Sequence, residues 1–274
     1  VSGQPESWAR MSRIDGAWLG AIQVNGKLWL LDPARLHPQL ARSLGLGEQD
    51  TLVFTLDDFQ GLGPIDAGGV LPPAAALSRW SAAGGARADT QTGTTRFLGV
   101  TLVLDTEFQS RYGANAADVA VGILNIVDGF YSAQAETQVY LYALVSLASN
   151  GTMTATKAED LLDAFSKYSQ TSLPFSGVAH LLSGKDFDGS TIGLAWTGVA
   201  DPAYVDTVCN SFYGTGVDQQ TFSAAASAAT LAHEMGHNYG ARHDHDGNAC
   251  PPSGYIMNAS TDIGNPPTQF STCS

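Results

Sequence analysis

The tightest constraint on this chain is the run Leu231-Ala-His-Glu-Met-Gly-His-Asn-Tyr-Gly-Ala-Arg-His-Asp244. His233 and His237 are four apart, so on an α-helix both imidazoles leave the same face and can share a metal ion. Glu234, between them, is placed to hold a water beside that metal and take its proton. Gly240 can adopt the left-handed conformation that ends a helix and turns the chain. That turn can return His243 as a third ligand. Three neutral imidazoles leave one tetrahedral position open, the layout of a catalytic rather than a structural zinc. A bare pair of histidines at this spacing also occurs as a satisfied helical pair beside a surface glutamate. The added Gly240 and His243 argue against that reading, as does Met257 in Tyr255-Ile-Met257-Asn-Ala, about fourteen residues on, where a turn can pass under the metal.

The surroundings alternate strand and helix patterns. Residues 97–104 read as an apolar strand, 114–130 as a helix (Val119, Ile123, Ile126, Val127) and 137–146 as a strand. Residues 156–169 read as a helix with a capping box, Thr156 with Glu159 three on. Residues 178–182 and 191–197 follow as strands, and 222–239 as the Ala-rich helix that carries the histidines. This order predicts an α/β fold with a mostly parallel sheet.

Charge divides the chain. Residues 1–94 carry 7 basic and 9 acidic side chains, a net of −2, and residues 95–274 carry 6 and 17, a net of −11. A net charge of −13 repels phosphate backbones, so no nucleic-acid partner is expected. No run approaches 18 apolar residues, so no membrane span is expected. The start at Val1, without a leader, reads as a processed or trimmed product. Residues 81–95 are small and polar without apolar periodicity, a linker signature. The boundary is therefore set near residue 90, giving a first domain over 1–90 and a second over 91–274. The first part holds Trp8, Trp18, Trp29 and Trp80 and no cysteine. It reads as small and β-rich, with strands over 17–24, 27–31 and 51–56, a hairpin at Asn25-Gly26 and a helical turn over 38–46.

His233, Glu234, His237, Gly240 and His243, followed by Met257, form the zinc motif and Met-turn of the metzincins. With Asp244 after the third histidine and Phe187-Asp-Gly-Ser-Thr-Ile-Gly-Leu-Ala-Trp196 upstream, residues from about 97 onward resemble the adamalysin/reprolysin (ADAM-like) branch. Ala259 stands where astacins and serralysins carry a tyrosine ligand. More weakly, the stretches 6–12, 16–20 and 28–33 resemble the end of a reprolysin prodomain.

The resemblance implies a secreted, extracellular zinc endopeptidase with one catalytic Zn2+. His233, His237 and His243 would be ligands, Glu234 the general base and later acid, and Met257 the hydrophobic floor. Gly193, Leu194 and Ala195 would form an edge strand that pairs with an extended protein or peptide substrate. Residues after Met257, through 263–266, would wall the pocket beyond the scissile bond. A prodomain in cis would keep the enzyme latent. The family's calcium carboxylates fall at Gly99 and Gly177, so calcium is not expected. Reprolysin prodomains often quench zinc with a cysteine. Here Asp66, Asp89 or His37 would have to replace it, or steric cover would serve, with Arg79 and Arg87 as cut points in the linker.

The family's bridge falls at Cys209 and Cys273 and leaves Cys250 over, as a buried thiol or paired beyond Ser274. Closing that loop of roughly 65 residues stabilises by about 4 kcal/mol in the chain-entropy model. The competing functional reading is a catalytically silent binding or adhesion module on the same scaffold.

Overall fold

Alternating buried and exposed side chains along the first strands already dictate a sheet with one face covered. The computed structural model describes residues 7–25, 27–55, 64–70, 95–198, 207–221, 223–262 and 266–272. Strands β1 (Trp8–Ile14), β2 (Ala17–Val24), β3 (Lys27–Pro33) and β4 (Thr51–Thr55) form an antiparallel meander in chain order. The hairpin expected at Asn25 is present: Val24 pairs with Lys27, and Asn25 takes φ +52°. Strand β1 was not expected. Its turn uses Asp15 (φ +46°) and Gly16 (φ +92°), the same chemistry at a second place. A short helix α1 (Pro38–Leu44) precedes β4.

The second sheet has the order β11-β5-β9-β10-β8-β6-β7. Its strands are β5 (Pro64–Val70), β6 (Arg96–Leu104), β7 (Thr137–Ser146), β8 (Val178–Ser183), β9 (Thr191–Trp196), β10 (Thr215–Gln219) and β11 (Ser260–Asp262). Four of its pairings are parallel, and those of β9 with β10 and of β11 with β5 are antiparallel. The mixed α/β architecture with a mostly parallel sheet is thus as expected. One strand is out of place, however. β5 lies in the first part of the sequence, yet hydrogen-bonds inside the sheet of the second.

Helices α2 (Thr106–Tyr112), α3 (Ala116–Gln134), α4 (Ala158–Ser172) and α5 (Ala224–Asn238) flank this sheet. α2 was missed in the sequence; Asp105 caps it, accepting from the Phe108 N–H at 2.7 Å. The capping box at Thr156 does not form. α4 starts at Ala158 behind Lys157, with no side-chain cap, so Thr156 lies one residue before the cap position, where its carbonyl accepts from Asp188 N–H. Glu159 and Asp160 still face the positive end of the helix dipole.

Along β6, Leu98, Val100, Leu102 and Leu104 pack under α3 and α5, and Val103 faces α4 on the opposite side. The stretch Thr106–Gln134 is apolar and long enough to cross a membrane by length and composition alone. In the fold, its Ile123, Ile126, Val127 and Phe130 are fully buried.

The first sheet closes over α3 rather than standing apart. Ile14, Leu19, Ala21, Leu28 and Leu30 join the same core as α3 and α5. Two helix glycines receive the sheet's knobs. A Cβ on Gly122 would lie 2.2 Å from Leu19 Cδ2, and one on Gly129 2.8 Å from the Trp8 ring. Arg10 Nε donates to Asp128 at 2.9 Å beside them.

Cys250 is disulfide-bonded, and Cys209 is an exposed free thiol. This corrects the expected Cys209–Cys273 bridge. Cys209 sits in a left-handed turn (φ +69°), pinned by its N–H to the Gly177 carbonyl at 2.7 Å, with its side chain in solvent. Cys250 is 2% exposed, between the third histidine and Met257. Cys273 lies outside the described residues.

Two predictions follow from this packing. Gly129→Leu adds helix propensity worth about 1 kcal/mol, yet overpacking against Trp8 should cost about 1–3 kcal/mol. A lowered thermal midpoint is therefore expected, and a raised one would contradict the docking. Iodoacetamide on the denatured, unreduced chain should label Cys209 and spare Cys250. Labelling of Cys250 would contradict the assignment.

Candidate active site

Helix α5 can run through the middle of the core because it is built from small residues. Ala224, Ala225, Ala226, Ala228, Ala229 and Ala232 let it approach the sheet and α3 closely, and all fifteen of its residues are buried. Ser223 caps it by accepting from the Ala226 N–H at 3.1 Å. Tyr131 from α3 donates to the Ala232 carbonyl at 2.9 Å. At the far end Gly240 takes φ +92°, and the Ala241 N–H returns to the Gly236 carbonyl at 3.0 Å. The reversal carries His243 back over the helix.

The three histidines then converge. His243 Nε2 is 3.2 Å from His233 Nε2 and 3.1 Å from His237 Nε2. Among the described residues, they form the one cluster able to hold a metal ion. The other ring nitrogens of the helix pair fix the tautomers. His233 Nδ1 donates to the Ile256 carbonyl at 2.5 Å, and His237 Nδ1 to the Ala241 carbonyl at 2.8 Å. Both Nε2 lone pairs therefore point inward. Burial and then the neighbouring His237 push the His233 pKa well below its usual value; burial and then His243 take His237 down to about 4. Neutral imidazoles facing one another this closely suit a shared cation. A tetrahedral zinc with bonds of about 2.0–2.1 Å needs nitrogens about 3.3–3.4 Å apart. The residues present fit that ion.

Glu234 is fully buried, and neither carboxylate oxygen has a hydrogen-bond partner. Burial, reinforced by Asp218, raises its pKa well above the usual carboxylate value. The carboxyl packs on β9 at Gly193, where a Cβ would lie 2.4 Å from Glu234 Oε1. Met257 is fully buried under α5, its Sδ 2.5 Å from where a Cβ on Gly236 would sit. The Met257 carbonyl accepts from Asp244 N–H at 2.8 Å, which ties the turn to the third histidine. The sequence did not single out the roles of Gly193 and Gly236. Only their places in the strand and between the ligands hinted at them.

Gly193, Leu194 and Ala195 lie in β9, paired with β10 on one side. The expected free edge is not free. β5 runs parallel along the other side, with Ala67 opposite Gly193, Gly68 opposite Leu194 and Gly69 opposite Ala195. Pro64 to Asp66 pair with β11, just beyond Met257. Of the residues considered for latency, His37 is held by Asp32 at 2.8 Å beside α1. Asp66 is placed by its backbone register alone. Asp89, Arg79 and Arg87 lie outside the described residues, as do 263–265 of the expected pocket wall.

A sequence model of Metallo-peptidase family M12 matches residues 94–271. Among solved structures, metalloproteinase-II from Bacteroides fragilis is similar, with a TM-score of 0.58 over 94% of this chain and 74% of that one. The identity is 14%, so this likeness is one of fold. The family match runs through every strand and helix from β6 to the segment past Met257, and on that ground this chain belongs to Metallo-peptidase family M12.

Proposed function

We propose that the chain is a secreted zinc endopeptidase of the reprolysin type, described here in a latent arrangement. The observation that carries the reading is the convergence of three imidazoles, two buried and the third half-buried, beside an unpartnered buried carboxyl. Bound there, zinc supplies Lewis-acid polarisation of a peptide carbonyl and lowers the pKa of water. The Ile256 and Ala241 carbonyls hold the rings of His233 and His237 in the ligating orientation. Glu234 accepts the proton of the attacking water and later delivers it to the leaving amide nitrogen. Gly193, Leu194 and Ala195 offer backbone groups to an extended protein or peptide. A disulfide at Cys250 supports export to an oxidising compartment.

Latency rests on β5. A segment from the first 90 residues takes the β9 backbone that a substrate needs and reaches across to β11. Its register is irregular between Asp66 and Ala67, where it passes from one partner to the other. Of the residues considered for latency, Asp66 is the one carried on β5. In this reading residues 1–90 act as a prodomain in cis, and cutting between β5 and β6 frees the cleft.

Glu234→Ala should keep one zinc per chain by elemental analysis while casein cleavage falls about 10²–10⁴-fold. Retention of a tenth of the wild-type kcat would overturn the assigned role. A wild-type chain that holds zinc and, after the linker is cut, cleaves nothing would instead be the silent binding module. Trypsin treatment confined to residues 71–94 should raise the peptidase rate, and Asp66→Ala should raise that of the uncut chain. An uncut chain as active as the trimmed one would refute latency.

A further inference from the structure

A second cluster of buried polar side chains lies behind the histidines and takes no part in the chemistry above. His180 on β8 and Asn238, the last residue of α5, are 0% exposed, and Asp218 on β10 is 2% exposed. His180 Nδ1 is 2.9 Å from Asp218 Oδ2, and its Nε2 is 3.1 Å from Asn238 Oδ1. Asn238 Nδ2 donates to the Trp196 carbonyl at 2.9 Å and the Thr215 carbonyl at 3.2 Å. With both its donors used, Asn238 must accept at Oδ1, so His180 Nε2 carries a proton.

We propose that His180, Asp218 and Asn238 form a positioning relay that sets the last turn of α5, and with it the ring of His237, for metal binding. Asn238 directly follows His237 and ties that turn to β9 and β10 through its side chain. Its own carbonyl accepts from Thr207 N–H at 3.1 Å and Thr207 Oγ1 at 2.9 Å. The His237 carbonyl accepts from Gly198 N–H at 2.9 Å and Gly240 N–H at 2.8 Å. The end of the helix is thus fixed by hydrogen bonds to β9, to β10, on which Asp218 stands, and to Gly198 and Thr207, while His180 reaches Asn238 from β8. Space is reserved for the relay, since a Cβ on Gly216 would lie 2.5 Å from His180 Cε1. Asp218 is the register partner of Gly193, the residue on which Glu234 rests. The three residues come from three separate elements, and all three are buried.

This inference rests on the zinc reading of the three histidines but not on peptidase activity, and its test reads the metal directly. The full chain is loaded with cobalt(II), its visible absorption recorded, and its zinc affinity measured by chelator competition. The variants are His180→Leu, His180→Gln, Asp218→Ala and Ser166→Ala. Ser166 is a control on the other side of the sheet, where it accepts from Trp196 Nε1 at 2.9 Å. His180→Leu and Asp218→Ala should shift the cobalt spectrum and weaken zinc binding about 10–100-fold. His180→Gln, which keeps an amide donor for Asn238, should recover most of that loss. Ser166→Ala should lower the thermal midpoint and leave metal affinity within about twofold. If His180→Leu fails to fold, Asp218→Ala decides alone. Wild-type cobalt spectra and zinc affinities in the folded His180 or Asp218 variants would overturn the proposal. So would an equal loss in Ser166→Ala. A wild-type chain that binds zinc tightly but cuts no peptide would fail the peptidase reading and leave this one standing or falling on the spectra.

Discussion

The arrangement depends on bringing the Nε2 atoms of His233 and His237 to 3.2 and 3.1 Å from His243 Nε2 inside the protein. Nothing favourable holds them there by itself, because lone pairs facing one another repel. The cost is borne by the elements that deliver them: a fully buried, alanine-rich helix, a left-handed turn at Gly240, and the segment ending at Met257. Each ligand on the helix is clamped from behind by a backbone carbonyl, Ile256 for His233 and Ala241 for His237. A dication at the centre would turn this repulsion into coordination. The same low-dielectric surroundings keep the Glu234 proton affinity high.

That delivery requires a core on every side of α5, and the core recruits the first part of the chain. The meander β1–β4 seats Leu19 and Trp8 in the notches that Gly122 and Gly129 leave on α3, and it shares one apolar cluster with α5. Fully burying a Leu or Ile side chain contributes about 1.5–3 kcal/mol, so several such contacts make this docking substantial. β5 extends the same chain into the cleft. The described residues of the first 70 therefore do two things: β1–β4 pack into the core that α5 shares, and β5 pairs with β9.

What could be read in the sequence was whatever local spacing determines. The ligands and Glu234 fall within eleven residues, so helix periodicity and one glycine were enough to anticipate their convergence. The hairpin at Asn25 and the strand–helix alternation were legible for the same reason. What escaped depends on long-range register. β5 is rich in glycine and shows no periodicity, and its place beside β9 is set by partners far along the chain. His180 was not singled out within the strand over 178–182; only the parallel pairing of β8 with β10 brings Asp218 to it. The cysteines were misassigned because their pairing was carried over from the family resemblance, whereas here Cys250 is bridged and Cys209 is free. Asp105 failed to announce α2 because it closed a strand and capped a helix at once.

The central claim is that His233, His237 and His243 together hold zinc. X-ray absorption at the zinc edge of the purified chain tests it most directly. The account predicts a first shell containing three imidazole nitrogens at about 2.0–2.1 Å with one remaining light-atom ligand. In His243→Ala one imidazole should disappear from that shell. A shell containing sulfur, fewer than three imidazoles in the wild-type chain, or one unchanged in His243→Ala would contradict it.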